Sequence, residues 1–111
     1  MNWYLTKLVF RITCGDGKHQ PQFDEQLRLI SAENEENALA KIDRLIREEQ
    51  EILGSKNQSA IRWDFINMTE FYQLDEFKDG SEIYFNIPDV KDADQYIEMV
   101  NQKALLIKQN Q

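Results

Sequence analysis

The chain has 111 residues, enough for one domain, and its 13 Lys and Arg against 20 Asp and Glu give a formal net charge of -7. This balance disfavours a nucleic-acid partner, since such binding depends on cations that neutralise phosphates. There is no apolar run of about 18 residues and no signal-peptide pattern, and Cys14 is the only cysteine, so we expect a cytoplasmic protein without a membrane partner.

The first two predicted elements are strands. From Trp3 to Cys14, β-branched and aromatic residues alternate with others, which is typical of a half-buried strand. Gly15, Asp16 and Gly17 indicate a turn, and a second strand is predicted from about Phe23 to Ala32. The two strands therefore form a long hairpin.

A helix is predicted next, over residues 34–53. Apolar residues recur there at three- and four-residue steps, and Asn34 is a suitable N-cap with Glu35 and Glu36 beside it. Gly54 is the expected stop, because it tolerates a left-handed backbone conformation.

The second half of the chain repeats this plan. A strand is predicted from Ile61 to about Tyr72, with a bulge or two-sided burial near Ile66 and Met68. A turn at 78–80 then leads to a returning strand at 83–87. A last helix is predicted over 89–107 with Asp89 as its cap, followed by a polar tail from about residue 108.

These elements predict one α+β domain over residues 1–111, in the order β-β-α-β-β-α. Both helices are expected to cover one face of an antiparallel sheet, which gives a two-layer architecture. The order of the strands within the sheet stays open.

Five stretches of the chain resemble a known family. They are Trp3–Phe10, Gln26–Ile30, Asn34–Leu39, Trp63–Ile66 and Asp79–Tyr84. Together they resemble the bacterial domain of unknown function numbered 4288, although Thr6 stands where that family often has Ala. The resemblance implies a small bacterial cytoplasmic protein and brings no site, substrate or cofactor with it.

Cys14 and His19 are the first candidates for chemistry, because a thiolate and an imidazole can form a nucleophile pair or half of a metal site. The four ligands of a zinc site are not completed, and no catalytic triad can be assembled around one histidine. We therefore expect a strand-end cysteine and a solvated loop histidine, with no catalytic, metal or cofactor-binding residues. A hydrolase or ligand binder that uses this pair stays as a lesser alternative.

The acidic first helix is the second candidate. Residues 33–53 carry seven acids and three bases, which is typical of a solvated helix surface. The same charge would suit an immunity or inhibitor protein that binds a basic partner.

The third candidate is the sheet itself, and it gives the preferred function. Twelve aromatic residues lie mostly on the predicted strands, with too few cations beside them for an RNA-stacking platform. If Tyr4, Leu8 and Phe10 face the helices, the alternate residues must form a bare apolar face. The expected interface residues are Trp3, Leu5, Val9, Ile30, Ile66 and Met68. We therefore expect a non-enzymatic interaction protein that forms a homodimer through this face.

Overall fold

The computed structural model describes residues 1–55, 61–75 and 77–110. Three strands and two helices follow in the order β1 (Asn2–Cys14), β2 (Gln22–Ala32), α1 (Glu35–Ser55), β3 (Ile61–Gln73) and α2 (Ala93–Gln109). The α+β class and the positions of these five elements agree with the sequence prediction.

The sheet has the order β2-β1-β3, and β1 is antiparallel to both neighbours. In the hairpin, Tyr4 lies opposite Ile30 and Leu5 opposite Leu29. On the other side, two register irregularities leave Ile66 and Thr69 without a partner on β1. The bulge expected near Ile66 is therefore present.

The core lies between one face of the sheet and α1. Its buried members are Tyr4, Leu8, Phe10, Ile30, Ala32, Ala38 and Ile42. Burial of one such large aliphatic side chain contributes roughly 1.5–3 kcal/mol, so this cluster holds α1 on the sheet. The helix begins where expected, since the Asn34 side chain accepts a hydrogen bond of 2.8 Å from the Asn37 amide. It continues past the expected stop at Gly54, to Ser55.

The predicted fourth strand at 83–87 is wrong, because residues 81–90 have no strand structure in the described part of the chain. The predicted turn is present, with Gly80 at φ 85° and a hydrogen bond from the Ser81 amide to the Lys78 carbonyl. The chain after this turn is bound through side chains: the Tyr72 hydroxyl donates to the Ile83 carbonyl at 2.7 Å. This hydrogen bond attaches the segment after the turn to β3 through a side chain, and not through the backbone pairing of a strand.

The predicted packing of the second helix on the sheet is also wrong. None of the residues of α2 is buried, and within the described residues its packing against the other elements is minimal. The helix begins at Ala93 and not at Asp89, because Asp92 is the cap and accepts a 3.1 Å hydrogen bond from the Gln95 amide. One helix, α1, covers the sheet, and α2 projects from the domain.

Candidate protein interaction surface

The sheet has a second face, opposite α1, which we call the open face. Register places the odd-numbered residues of β1 there, from Trp3 to Arg11, and opposite them Glu25 and Ser31 of β2 together with three apolar residues, Phe23, Leu27 and Leu29. These three side chains of β2 are about half exposed, at 53%, 46% and 47%. An apolar row, interrupted by Glu25, therefore follows β2 on the side of the sheet that neither α1 nor α2 covers.

Part of the open face is covered by residues 77–85, which we call the strap. The ring of Phe77 meets that of Trp3 edge to face, with centroids 5.5 Å apart. Further along, the Lys7 ammonium donates to the Tyr84 hydroxyl at 3.3 Å. Leu5 is only 2% exposed as a result, so the strap protects the β1–β3 side and leaves the β2 side open.

Electrostatics reinforce the attachment of the strap. Lys7 forms an ion pair of 2.9 Å with Glu25, and hydrogen bonds to Glu25 and Tyr84 raise the pKa of Lys7 above its ordinary value. Burial, followed by the negative charge of Glu70, raises the pKa of Tyr72. Both side chains are therefore held in their protonated forms where strap and sheet meet.

The structure divides the six predicted interface residues between different places. Trp3, Leu5 and Val9 lie on the open face, with Leu5 under the strap and Val9 half-buried. Ile66 is the unpaired bulge residue and is 52% exposed.

Ile30 and Met68 are on the opposite side of the sheet from the one expected. Ile30 pairs with Tyr4 and Met68 with Leu8, so both belong to the face that α1 covers. The sequence prediction assigned the two faces of β2 the wrong way round. This is equivalent to a shift of one residue relative to β1, which moves every side chain to the other face. The same error left Phe23, Leu27 and Leu29 out of the expected interface, although their spacing of two or four residues places them on one shared face.

The exposed apolar surface of α2 is the largest feature that sequence reasoning misplaced. Ala93, Ile97, Val100, Ala104 and Ile107 recur at steps of four and three residues, which aligns them on one side of the helix. Ile97, Val100 and Ile107 are 54%, 44% and 65% exposed. Such a stripe normally faces a core, and here it faces solvent.

Cys14 and His19 lie together at the end of β1, in a local arrangement. The Cys14 amide donates to His19 Nε2 at 3.0 Å, and His19 Nδ1 lies 2.8 Å from the Gln20 carbonyl. The imidazole ring thus contacts the backbone through both of its nitrogens and closes the loop after β1. The Cys14 side chain is exposed, and the geometry assigns His19 a structural contact.

The acidic residues of α1 are partly engaged within the chain. Glu49 forms a two-pronged ion pair with Arg28 of β2, with N–O distances of 2.8 and 3.1 Å. Asp43 pairs with Arg47 one turn away on the same helix. Glu49 therefore anchors α1 to the sheet, and less of the acidic surface is free than its composition indicates.

The described residues also line two concave regions. A cleft of about 420 Å³ lies between the end of β3 and the strap, lined by side chains that include Tyr72, Asp75 and Phe85. A smaller groove of about 160 Å³ separates α1 from β3 beside Leu39 and Met68. No group of three or more potential metal ligands occurs in residues 1–55, 61–75 and 77–110.

Comparison with known proteins gives one family. The family described as "Domain of unknown function (DUF4288)" matches residues 3–85, which include β1 from Trp3 onwards, β2, α1, β3 and the strap. The search of curated proteins and the search of solved structures gave no match. Among the described helices, none has the length and apolarity needed to cross a membrane.

Proposed function

We propose a function for this chain, which belongs to the DUF4288 family. It is a non-enzymatic interaction domain that works as a homodimer in the cytoplasm. The family description carries no activity, so the proposal depends on the exposed surface. Dimer formation would cover the apolar residues that the open face and α2 expose.

The observation that carries the proposal is the size of this surface. The chain exposes 9113 Å², whereas a folded monomer of 13.2 kDa exposes roughly 6,400 Å². Its radius of gyration is 17.8 Å, against about 13 Å for a compact domain of this length. A chain with this much extra surface resembles one subunit taken out of an assembly.

An alternative, the binding of a basic partner to the acidic face of α1, has less support. Glu49 and Asp43 already have cationic partners within the chain. Ion pairs on exposed surfaces also contribute little free energy, about 0–1 kcal/mol each. An apolar surface of this area is the stronger driving force for association.

Light scattering at micromolar concentration tests the proposal. We expect a mass of about 26 kDa, twice the 13.2 kDa of one chain. Leu29→Asp should raise the dissociation constant at least roughly tenfold, because a carboxylate would be buried opposite Leu5, with no cation directly across the strand pair. Leu29 is preferred to Leu5 for this test, since a charge at the buried Leu5 would unfold the chain itself.

Leu39→Asp is the matched control, because Leu39 is 39% exposed and lies on α1, away from the open face. We expect this variant to remain a dimer, with the circular dichroism of the parent protein. A mass near 13 kDa for the parent chain would refute the proposal. Equal dissociation of both variants would show that the open face is not the dimer interface.

A further inference from the structure

The helix α2 has the composition of a packed helix, but none of its residues is buried and it packs only minimally against the other described elements. It has 17 residues, and an isolated helix of this length is marginally stable in water unless its apolar stripe is buried. Residues 86–92 lead to it without forming helix or strand, and Ile87 among them is 82% exposed. Both features are typical of an arm that reaches another molecule.

We propose that two copies of this chain exchange their α2 helices, so that α2 of each copy lies along β2 on the open face of the other. This inference rests on the proposed dimer and specifies which surfaces meet in it. Exchange of one element between identical chains is a low-cost route to a symmetric dimer, because each contact occurs twice.

The two surfaces have matching lengths. The apolar stripe of α2 runs from Ala93 to Ile107, which at 1.5 Å per residue is about 21 Å. The row on β2 runs from Phe23 to Leu29, which at about 3.4 Å per residue is about 20 Å, and the one charged residue within it, Glu25, is paired with Lys7. A helix lying along this strand would therefore cover the row from end to end.

The area available is that of a stable dimer. The excess over a typical monomer is about 2,700 Å² per chain, or more than about 5,000 Å² for two. Not all of this excess needs to lie in one interface, and burial of half of it, about 2,700 Å² for the pair, would already reach the range of obligate homodimers, which are more apolar than transient complexes. Exchange of α2 between two copies would thus account for the extra surface of the single chain.

Two other ways of joining two copies each cover only one of the two exposed apolar surfaces. Face-to-face packing of two sheets would bury Leu27 and Leu29 and leave α2 in water. Pairing of two α2 helices would bury Val100 and leave the open face bare, with a stripe little longer than two heptads. Exchange places the two exposed apolar surfaces against each other.

Cysteine cross-linking between two different full-length variants tests the arrangement. One chain carries Leu27→Cys and the other Val100→Cys, both in a Cys14→Ser background, and the two are refolded together. Only the first chain is labelled with ¹⁵N, so that mass spectrometry identifies each product of a short bismaleimide. We expect at least tenfold more of the mixed product than of either self-linked product.

A control replaces Leu27→Cys by Leu39→Cys, which lines the groove between α1 and β3. We expect little mixed product from this pair, and a dominant mixed product would overturn the assignment to the open face. Self-linked Val100→Cys would overturn exchange in favour of paired helices, and self-linked Leu27→Cys in favour of paired sheets. In both cases light scattering would still show a dimer, whereas a monomeric mass would refute the proposed function itself.

A double variant, Leu27→Cys with Val100→Cys in one chain, distinguishes exchange from folding back. If α2 reached its own sheet in solution, the link would form within the chain and the product would keep the monomer mass. Exchange predicts a product of twice that mass.

Discussion

Thr6 is a completely buried polar residue in the middle of β1. Its hydroxyl donates to the Glu70 carbonyl at 3.0 Å, next to the irregularity that begins between Lys7 and Leu8. A buried hydroxyl requires such a partner, because an unsatisfied group costs roughly 1–3 kcal/mol. The side chain thus stabilises the sheet where its ladder is interrupted.

Thr6→Val keeps the β-branched shape and removes this donor. We expect the free energy of unfolding to fall by about 1–3 kcal/mol, because the Glu70 carbonyl would lose its buried hydrogen bond. Urea unfolding measures the change, with Thr13→Val near the strand end as the control, where we expect less than about 0.5 kcal/mol. Equal effects at the two positions would contradict the importance of this hydrogen bond.

The strap should loosen at high pH. The pKa values of Lys7 and Tyr72 are both raised in the folded chain, so above about pH 10 the folded state holds more protons than the unfolded state. The stabilisation is therefore complete below the ordinary pKa values and is lost as pH rises through the folded ones. We expect the urea midpoint to stay constant up to about pH 10 and to fall as the pH rises further.

Lys7→Met should make this pH dependence shallower, because the variant lacks the protonated partner of Glu25 and Tyr84. Lys18→Met, in the exposed loop after β1, is the control and should retain the slope of the parent protein. A midpoint that does not change over this pH range would contradict the role assigned to Lys7 and Tyr72.

Secondary structure was predictable at the scale of elements because its signals are local. The apolar periods of α1 and α2 and the alternation of β1 identified these elements, and the end points differ by only a few residues. Asp89 and Asp92 both satisfy the capping rule, so the pattern alone could not choose between them. The strap was misread as a strand because its hydrogen bonds come from the side chains of Lys7 and Tyr72, which lie far away in the chain.

The attachment of α1 to β2 includes the ion pair between Arg28 and Glu49. Its side chains are 30% and 32% exposed, and Gln26 accepts two further hydrogen bonds from the same guanidinium group. Two parallel N–O contacts make this pair stronger than a typical surface pair, although solvent still screens it. It complements the apolar core by fixing the position of the helix above β2.

A double-mutant cycle with Arg28→Ala and Glu49→Ala measures this contact. We expect a coupling free energy of about 0.5–1 kcal/mol that decreases in high salt. The more exposed pair Arg62 and Asp64 provides the control cycle, with an expected coupling below about 0.3 kcal/mol. Similar couplings for the two pairs would show that the contact does not position α1.

At the scale of the whole molecule, the candidate surface was only partly predictable. The sequence indicates a sheet with apolar residues on two faces, and Trp3 and Val9 lie on the open face as expected. An apolar stripe on a helix, however, indicates only that another surface packs against the helix. It does not indicate which chain provides that surface. In the proposed exchange the position of α2 depends on a second copy, and local patterns contain no information about that copy.

The exchange of α2 should make the helix content depend on concentration. In the proposed dimer α2 is stabilised by the partner's sheet, whereas in a monomer it lacks packing and should unfold. It contributes 17 helical residues and α1 contributes 21, so dilution should remove somewhat under half of the helical circular dichroism signal. We expect Leu29→Asp to show the reduced signal at all micromolar concentrations and Leu39→Asp to behave like the parent chain.

An unchanged helical signal in samples that light scattering shows to be monomeric would mean that α2 is stable without a second copy. The helix would then provide no driving force for association, and the open face would have to provide it.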